Sequence, residues 1–125
     1  MKKKILIVED DLDMLNLYQG VLRDIFEIIP ATNGKEAVEL ALAGVPDLIL
    51  MDVMMPVMSG LEALKLIKEN PASTTIPVIL VSALGEYEDI RKGYSMGASY
   101  YITKPFTKKE LLMAIKGCLE NQQAA

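Results

Sequence analysis

Short apolar runs alternate along the whole chain with longer stretches in which apolar residues recur at helical spacing, and this alternation restricts the fold more than any other feature. A helical bundle would show the helical spacing alone, and a sandwich would show strand after strand. Alternation of the two periods is the pattern of βα units around a parallel sheet. Residues 5–8 (ILIV) form a continuous apolar run, as expected of a strand covered on both faces. Leu12, Leu15, Leu22 and Ile25, joined by Tyr18 and Val21, then predict a first helix over 12–25. Residues 26–29 are the second strand candidate. Asn33-Gly34 marks the turn into a helix that carries Ala37, Val38, Leu40 and Ala41, with Asn33 as its N-cap and Gly44 and Pro46 closing it.

The second half repeats the pattern. Residues 47–51 predict a third strand leading to Asp52, followed by a loop with Pro56, Ser59 and Gly60 and a helix over 61–68 that ends near Asn70-Pro71. Strands over 76–81 and 99–103 and helices over 86–96 and 107–119 complete five strand–helix pairs. Thr107 and Glu110 have the spacing of a capping box. A chain of 125 residues holds one such domain with a real core, so the expectation is a single domain over 1–125.

Right-handed crossovers place the C-terminal ends of parallel strands on one edge of the sheet, where ligands of such folds bind. Here those ends carry Glu9 and Asp10 after the first strand, Asp52 at the third, Ser82 after the fourth and Lys104 after the fifth. Three carboxylates in one place repel each other and take up protons unless a cation compensates them. With no His and a single Cys in the chain, the donors are oxygens, which favours Mg²⁺, with Mn²⁺ as the alternative, and argues against zinc. Lys104 and Ser82 then supply what phosphoryl chemistry at a carboxylate requires, a charge and a hydroxyl for the equatorial oxygens, with Asp52 as nucleophile.

Each residue also has a plainer reading. Glu9 and Asp10 could decorate a helix N-terminus, Ser82 could open a turn, and Lys104 could be a solvated charge beside a proline. The set in order on the strand ends outweighs them, and a carboxylate closing an apolar strand, as Asp52 does, needs compensation in any case. Met54, Met55 and Met58 read as filling gaps beneath a loop, Cys118 as a buried structural thiol, and Tyr100 and Tyr101 as facing opposite sides of the last strand.

The segments ILIVEDD, PDLILMDVMMPVMSGLE, PVILVSA and GASYYITKPF closely resemble the receiver domains of two-component response regulators, over nearly the whole chain. The resemblance implies an α/β fold, a doubly wound, flavodoxin-like five-stranded parallel sheet in the order 2-1-3-4-5 with five helices. It implies phosphorylation of Asp52, Mg²⁺ held by Glu9, Asp10, Asp52 and the main-chain carbonyl of Met54, catalytic assistance from Lys104 and Ser82, a cis bond before Pro105, and a switch formed by Ser82 and Tyr101. Asp10 and Asp11 are the alternative acidic pair; Glu9 and Asp10 follow the strand directly, which leaves Asp11 to start the helix. The implied donor is a histidine kinase or a histidine phosphotransfer protein. The implied readout is a downstream protein that binds the face of the fourth helix, fifth strand and fifth helix.

Other functions fit less well. A phosphatase of the haloacid-dehalogenase type needs an Asp two residues after the nucleophile, and position 54 is Met. A flavin or nucleotide binder needs a Gly-rich loop where this chain has acids. The net charge of -4 argues against direct nucleic-acid binding. The apolar run after Met1 to Lys4 is too short for an export signal or a membrane span, so the expectation is a cytoplasmic switch with no separate substrate to turn over. The tail over 121–125 has no linker character and favours a stand-alone module.

Overall fold

Along each strand, side chains alternate between two sides, and both sides are apolar here because both are covered by helices. The computed structural model describes residues 2–124; Met1 of the positive start and Ala125 of the tail lie outside the described residues. The order is β1 (Lys4–Val8), α1 (Leu12–Leu22), β2 (Glu27–Ala31), α2 (Gly34–Gly44), β3 (Leu48–Asp52), α3 (Gly60–Glu69), β4 (Val78–Ser82), α4 (Tyr87–Ser95), β5 (Tyr100–Thr103) and α5 (Lys108–Ala124). All five strands are parallel in the order β2-β1-β3-β4-β5.

One core lies between the sheet and α2, α3 and α4, and includes Leu6, Val8, Ile49, Met51, Val78, Leu80 and Tyr101. The other lies beneath α1 and α5, and includes Ile5, Ile7, Leu48, Leu50, Ile79, Val81 and Ile102. Each fully buried aliphatic side chain contributes roughly 1.5–3 kcal/mol through removal of its surface from water. The period of two across these lists explains why the strands read as unbroken apolar runs.

Helix starts follow local hydrogen-bond chemistry. Asp11, Asn33 and Ser59 cap α1, α2 and α3 with side-chain oxygens. The Thr107 hydroxyl accepts from the Glu110 amide at 3.1 Å, and the Glu110 carboxylate accepts in return from the Thr107 amide at 3.3 Å. By contrast α4 has no side-chain cap and contributes one fully buried residue, Gly93.

Three expectations change. The first helix stops at Leu22 rather than 25: the amides of Ile25 and Phe26 both turn back to the Leu22 carbonyl, which buries Phe26 and leaves Ile25 exposed. Leu12, at the opening of that helix, is exposed as well. The second strand starts later and contains Pro30, which an edge strand tolerates because one side of its main chain has no partner. Cys118 is half-buried rather than enclosed.

Candidate functional site

Strand parity assembles the site. Glu9 continues the side of Ile5 and Ile7, Asp52 that of Leu48 and Leu50, and Lys104 that of Ile102, so all three emerge on the α1/α5 side of the strand ends. The register supports this convergence, with Val8 opposite Met51 and Asp52 opposite Val81. Among the described residues, Glu9, Asp10 and Asp52 form a cluster in which one carboxylate oxygen from each lies within 4.8 Å of the others. Glu9 and Asp52 are buried, and Asp10 is exposed. Asp11 is occupied elsewhere, its Oδ1 accepting from the amides of Asp13 at 2.9 Å and Met14 at 3.3 Å.

Lys104 Nζ stands 3.4 Å from Glu9 Oε1 and 3.5 Å from Asp52 Oδ2. One ammonium therefore faces two buried carboxylates, in a cluster that holds a third at the surface. Burial, and then the charge of Asp52, raise the pKa of Glu9 to about 7, against a partial pull downward from the Asp11 amide and Lys104. Hard oxygen donors with an excess of negative charge fit a divalent cation of the Mg²⁺ type, so the residues present suit such an ion.

The loop after Asp52 is tied back to it. The Met54 amide donates to Asp52 Oδ1 at 3.3 Å, and the Gly60 amide donates to the Val53 carbonyl at 2.8 Å. Gly60 packs so closely on β3 that a Cβ there would collide with the Asp52 carbonyl oxygen, which is why the α3 start admits no side chain. Met55 and Met58 pack against the core as expected, but Met54 is 60% exposed, because the loop turns its side chain outward.

Ser82 continues the opposite parity, that of Val78 and Leu80, and so leaves the sheet on the α2–α4 side. It is fully buried, and its Oγ accepts from the Leu84 amide at 3.0 Å. The Leu84 carbonyl in turn accepts from Tyr101 Oη at 2.7 Å, and the Tyr101 amide donates to Tyr94 Oη of α4 at 3.2 Å. A chain of hydrogen bonds thus runs from the strand end to the fourth helix. Tyr101 is buried, and Tyr100 on the other parity is 46% exposed. The Tyr101 ring lies inside, in a space left by Gly93, where a Cβ would stand 3.0 Å from the Tyr101 ring. Sequence reasoning passed over Leu84, since main-chain atoms link it to the site. It also passed over Gly93, whose signal was a glycine inside an otherwise helical stretch. The Lys104–Pro105 peptide bond is cis.

Comparison with known proteins gives a consistent picture. Residues 5–116 match the model of the response regulator receiver domain. The chain is similar to the chemotaxis protein CheY of Halobacterium salinarum, 42% identical over 120 residues that cover 95% of this chain and 98% of that one. Other curated relatives include longer transcriptional regulators, of which the chain spans about half, 54% and 51% in two cases, and a histidine kinase of Formosa agariphila, of which it spans 9%. Among solved structures, the chemotaxis response regulator CheY4 of Vibrio cholerae is 28% identical with a TM-score of 0.88, covering 94% of this chain and 99% of that one. The receiver domain of a sensor histidine kinase from Pseudomonas aeruginosa, which has a magnesium ion coordinated in its active-site cleft, is 26% identical with a TM-score of 0.89 over 96% of this chain and 99% of that one.

Proposed function

The chain belongs to the response regulator receiver family of signalling switches, and on that footing we propose that Asp52 accepts a phosphoryl group from a phosphohistidine on a histidine kinase or histidine phosphotransfer protein. The observation that carries the assignment is the juxtaposition of three carboxylates within 4.8 Å with an ammonium 3.5 Å from Asp52.

In the transfer, an Asp52 carboxylate oxygen forms a bond to phosphorus while the donor's N–P bond breaks, its electron pair leaving with the imidazole. Lys104 holds positive charge beside the equatorial oxygens, on which negative charge is spread. Glu9, Asp10, Asp52 and the Met54 carbonyl would hold Mg²⁺, or Mn²⁺ in its place, which when bound neutralises charge on those same oxygens. Ser82 donates its hydroxyl to a phosphoryl oxygen. That donation pulls Oγ away from the Leu84 amide and disturbs the chain of bonds to Tyr101 and Tyr94, which alters the α4–β5–α5 face offered to a downstream protein target. The phosphoryl group adds about two negative charges and three acceptors, enough to compete for the Ser82 hydroxyl.

We read residues 5–116 as a receiver domain that acts as a switch in the cytoplasm and catalyses only its own phosphorylation and dephosphorylation. Its targets are proteins, neither nucleic acid nor membrane; among the described residues no helix is long and apolar enough to cross a bilayer. The test is intact-mass spectrometry after incubation with Mg²⁺ and a small acyl phosphate. Wild type gains one phosphoryl group and Asp52→Ala gains none; equal labelling of the two would overturn the assignment.

A further inference from the structure

Among the described residues one aromatic pair stands out, and it lies beside the site. Tyr18 on α1, 3% exposed, stacks on Phe106 with ring centroids 5.9 Å apart and planes 10° from parallel. Its neighbours along the buried stripe of α1 are Leu15 and Leu22, which fill volume without offering a flat surface. Phe106 belongs to the short corner between β5 and α5. The corner is anchored at one end by the Lys104 amide, which donates to the Ser82 carbonyl at 2.8 Å, and at the other by the capping box of Thr107. Between these anchors Phe106 rests on the ring of Tyr18.

The Lys104 ammonium depends on that corner. Its distances of 3.4 and 3.5 Å to the two carboxylates exceed those of tight charge-assisted bonds, so direct pairing does not fix it in place. Its stem instead lines one apolar groove together with Met14, Tyr18, Pro105 and Phe106. A charged group held by its seat moves when the seat is loosened.

We propose that Tyr18 is a positioning residue for phosphoryl transfer: through its stack on Phe106 it holds the β5–α5 corner, and with it Lys104, against Asp52. This rests on the roles given above to Asp52 and Lys104. Burial raises the pKa of the Tyr18 hydroxyl, and the charges of Glu9 and Asp52 raise it further, which agrees with a phenol facing the acidic site.

The experiment uses the full chain with saturating Mg²⁺ and a small acyl phosphate, in wild type, Tyr18→Leu, Tyr18→Phe and Phe106→Leu. The rate of Asp52 phosphorylation is read together with the ¹³Cε signal of Lys104. Tyr18→Leu is expected to slow phosphorylation about tenfold and to shift the Lys104 signal, since small misplacements of a charge-stabilising group are costly and an aromatic pair contributes energy of that order. Tyr18→Phe, which keeps the stack, restores both. Phe106→Leu reproduces the effect from the other side of the pair, and serves alone if Tyr18→Leu does not fold. A wild-type rate with an unmoved Lys104 signal in the leucine variants overturns the proposal, as does failure of Tyr18→Phe to rescue. A wild type that takes no phosphoryl group on Asp52 overturns instead the function on which the proposal rests.

Discussion

Replacing Glu9 by Gln removes a charge that the fold holds at a cost. The carboxyl is 1% exposed, lies beside Asp52, and has its pKa raised from 4.5 to about 7. At 1.36 kcal/mol for each tenfold change in proton affinity, the ionised form is about 3 kcal/mol less favourable in the folded chain than in the unfolded one. The folded pKa lies above the unfolded value, so the folded chain binds this proton more tightly. The stability tied to it is therefore fully present below 4.5 and is lost as pH rises to about 7. Gln keeps an oxygen that can accept from the Asp11 amide, a bond of 3.2 Å in the wild type, and it does not titrate. The stability difference between Glu9→Gln and wild type should accordingly grow by about 3 kcal/mol across that interval and then level off, roughly 10 °C in Tm for a domain of this size. Urea unfolding followed by circular dichroism in chelator, from about pH 4 to about pH 8, measures it. Mg²⁺ should restore stability to wild type mainly at the upper end, because binding requires the ionised carboxylate, and should do little for the variant. Parallel stability profiles for the two proteins in chelator would refute the assignment of Glu9 as a buried, proton-holding member of the cluster.

Asp10→Ala should lose most of the Tm gain that Mg²⁺ gives to wild type, as seen in paired thermal melts, since an ion that binds only the folded chain stabilises it by mass action. Ser82→Ala should accept the phosphoryl group yet fail to switch. Moving a two-state equilibrium from about 1:99 to 99:1 takes roughly 5.5 kcal/mol, and the hydroxyl bond is part of that difference. Amide NMR across residues 86–119 checks this, and matching shifts in phosphorylated wild type and variant would rule out coupling through Ser82. Thr107→Ala should cost about 1 kcal/mol in chemical denaturation through loss of the capping box, with a smaller loss counting against its role.

The fold was legible because parallel strands covered on both sides leave unbroken apolar runs, and because Asn33 and Thr107 announce helix starts through their own chemistry. Glu9, Asp52 and Lys104 could be placed on one sheet edge because each closes or directly follows a strand. The remainder depends on contacts between distant parts of the chain. Leu12 and Ile25 have the spacing of a buried stripe, but the helix ends before one of them and opens beneath the other. Pro30 hides an edge strand from a reading based on propensity. Whether Met54 faces inward depends on the path of its loop, and the ring of Tyr18 finds Phe106 only once α1 and the β5–α5 corner lie side by side.

The split in strand parity has a consequence for how such a chain can diversify. Glu9, Asp52 and Lys104 stand on the side of the sheet roofed by α1 and α5, while Ser82 departs to the other side, toward α4. On the function proposed above, the chemistry and its readout begin on opposite sides of the sheet and meet at α5, which roofs the one and borders the other. On that same function, substitutions on the exposed face of α4 that suit a new target leave Glu9, Asp10, Asp52 and Lys104 where they are. The two sides then communicate through Ser82, whose carbonyl holds the Lys104 amide while its hydroxyl holds that of Leu84, so a change on either side is felt at one residue on the other.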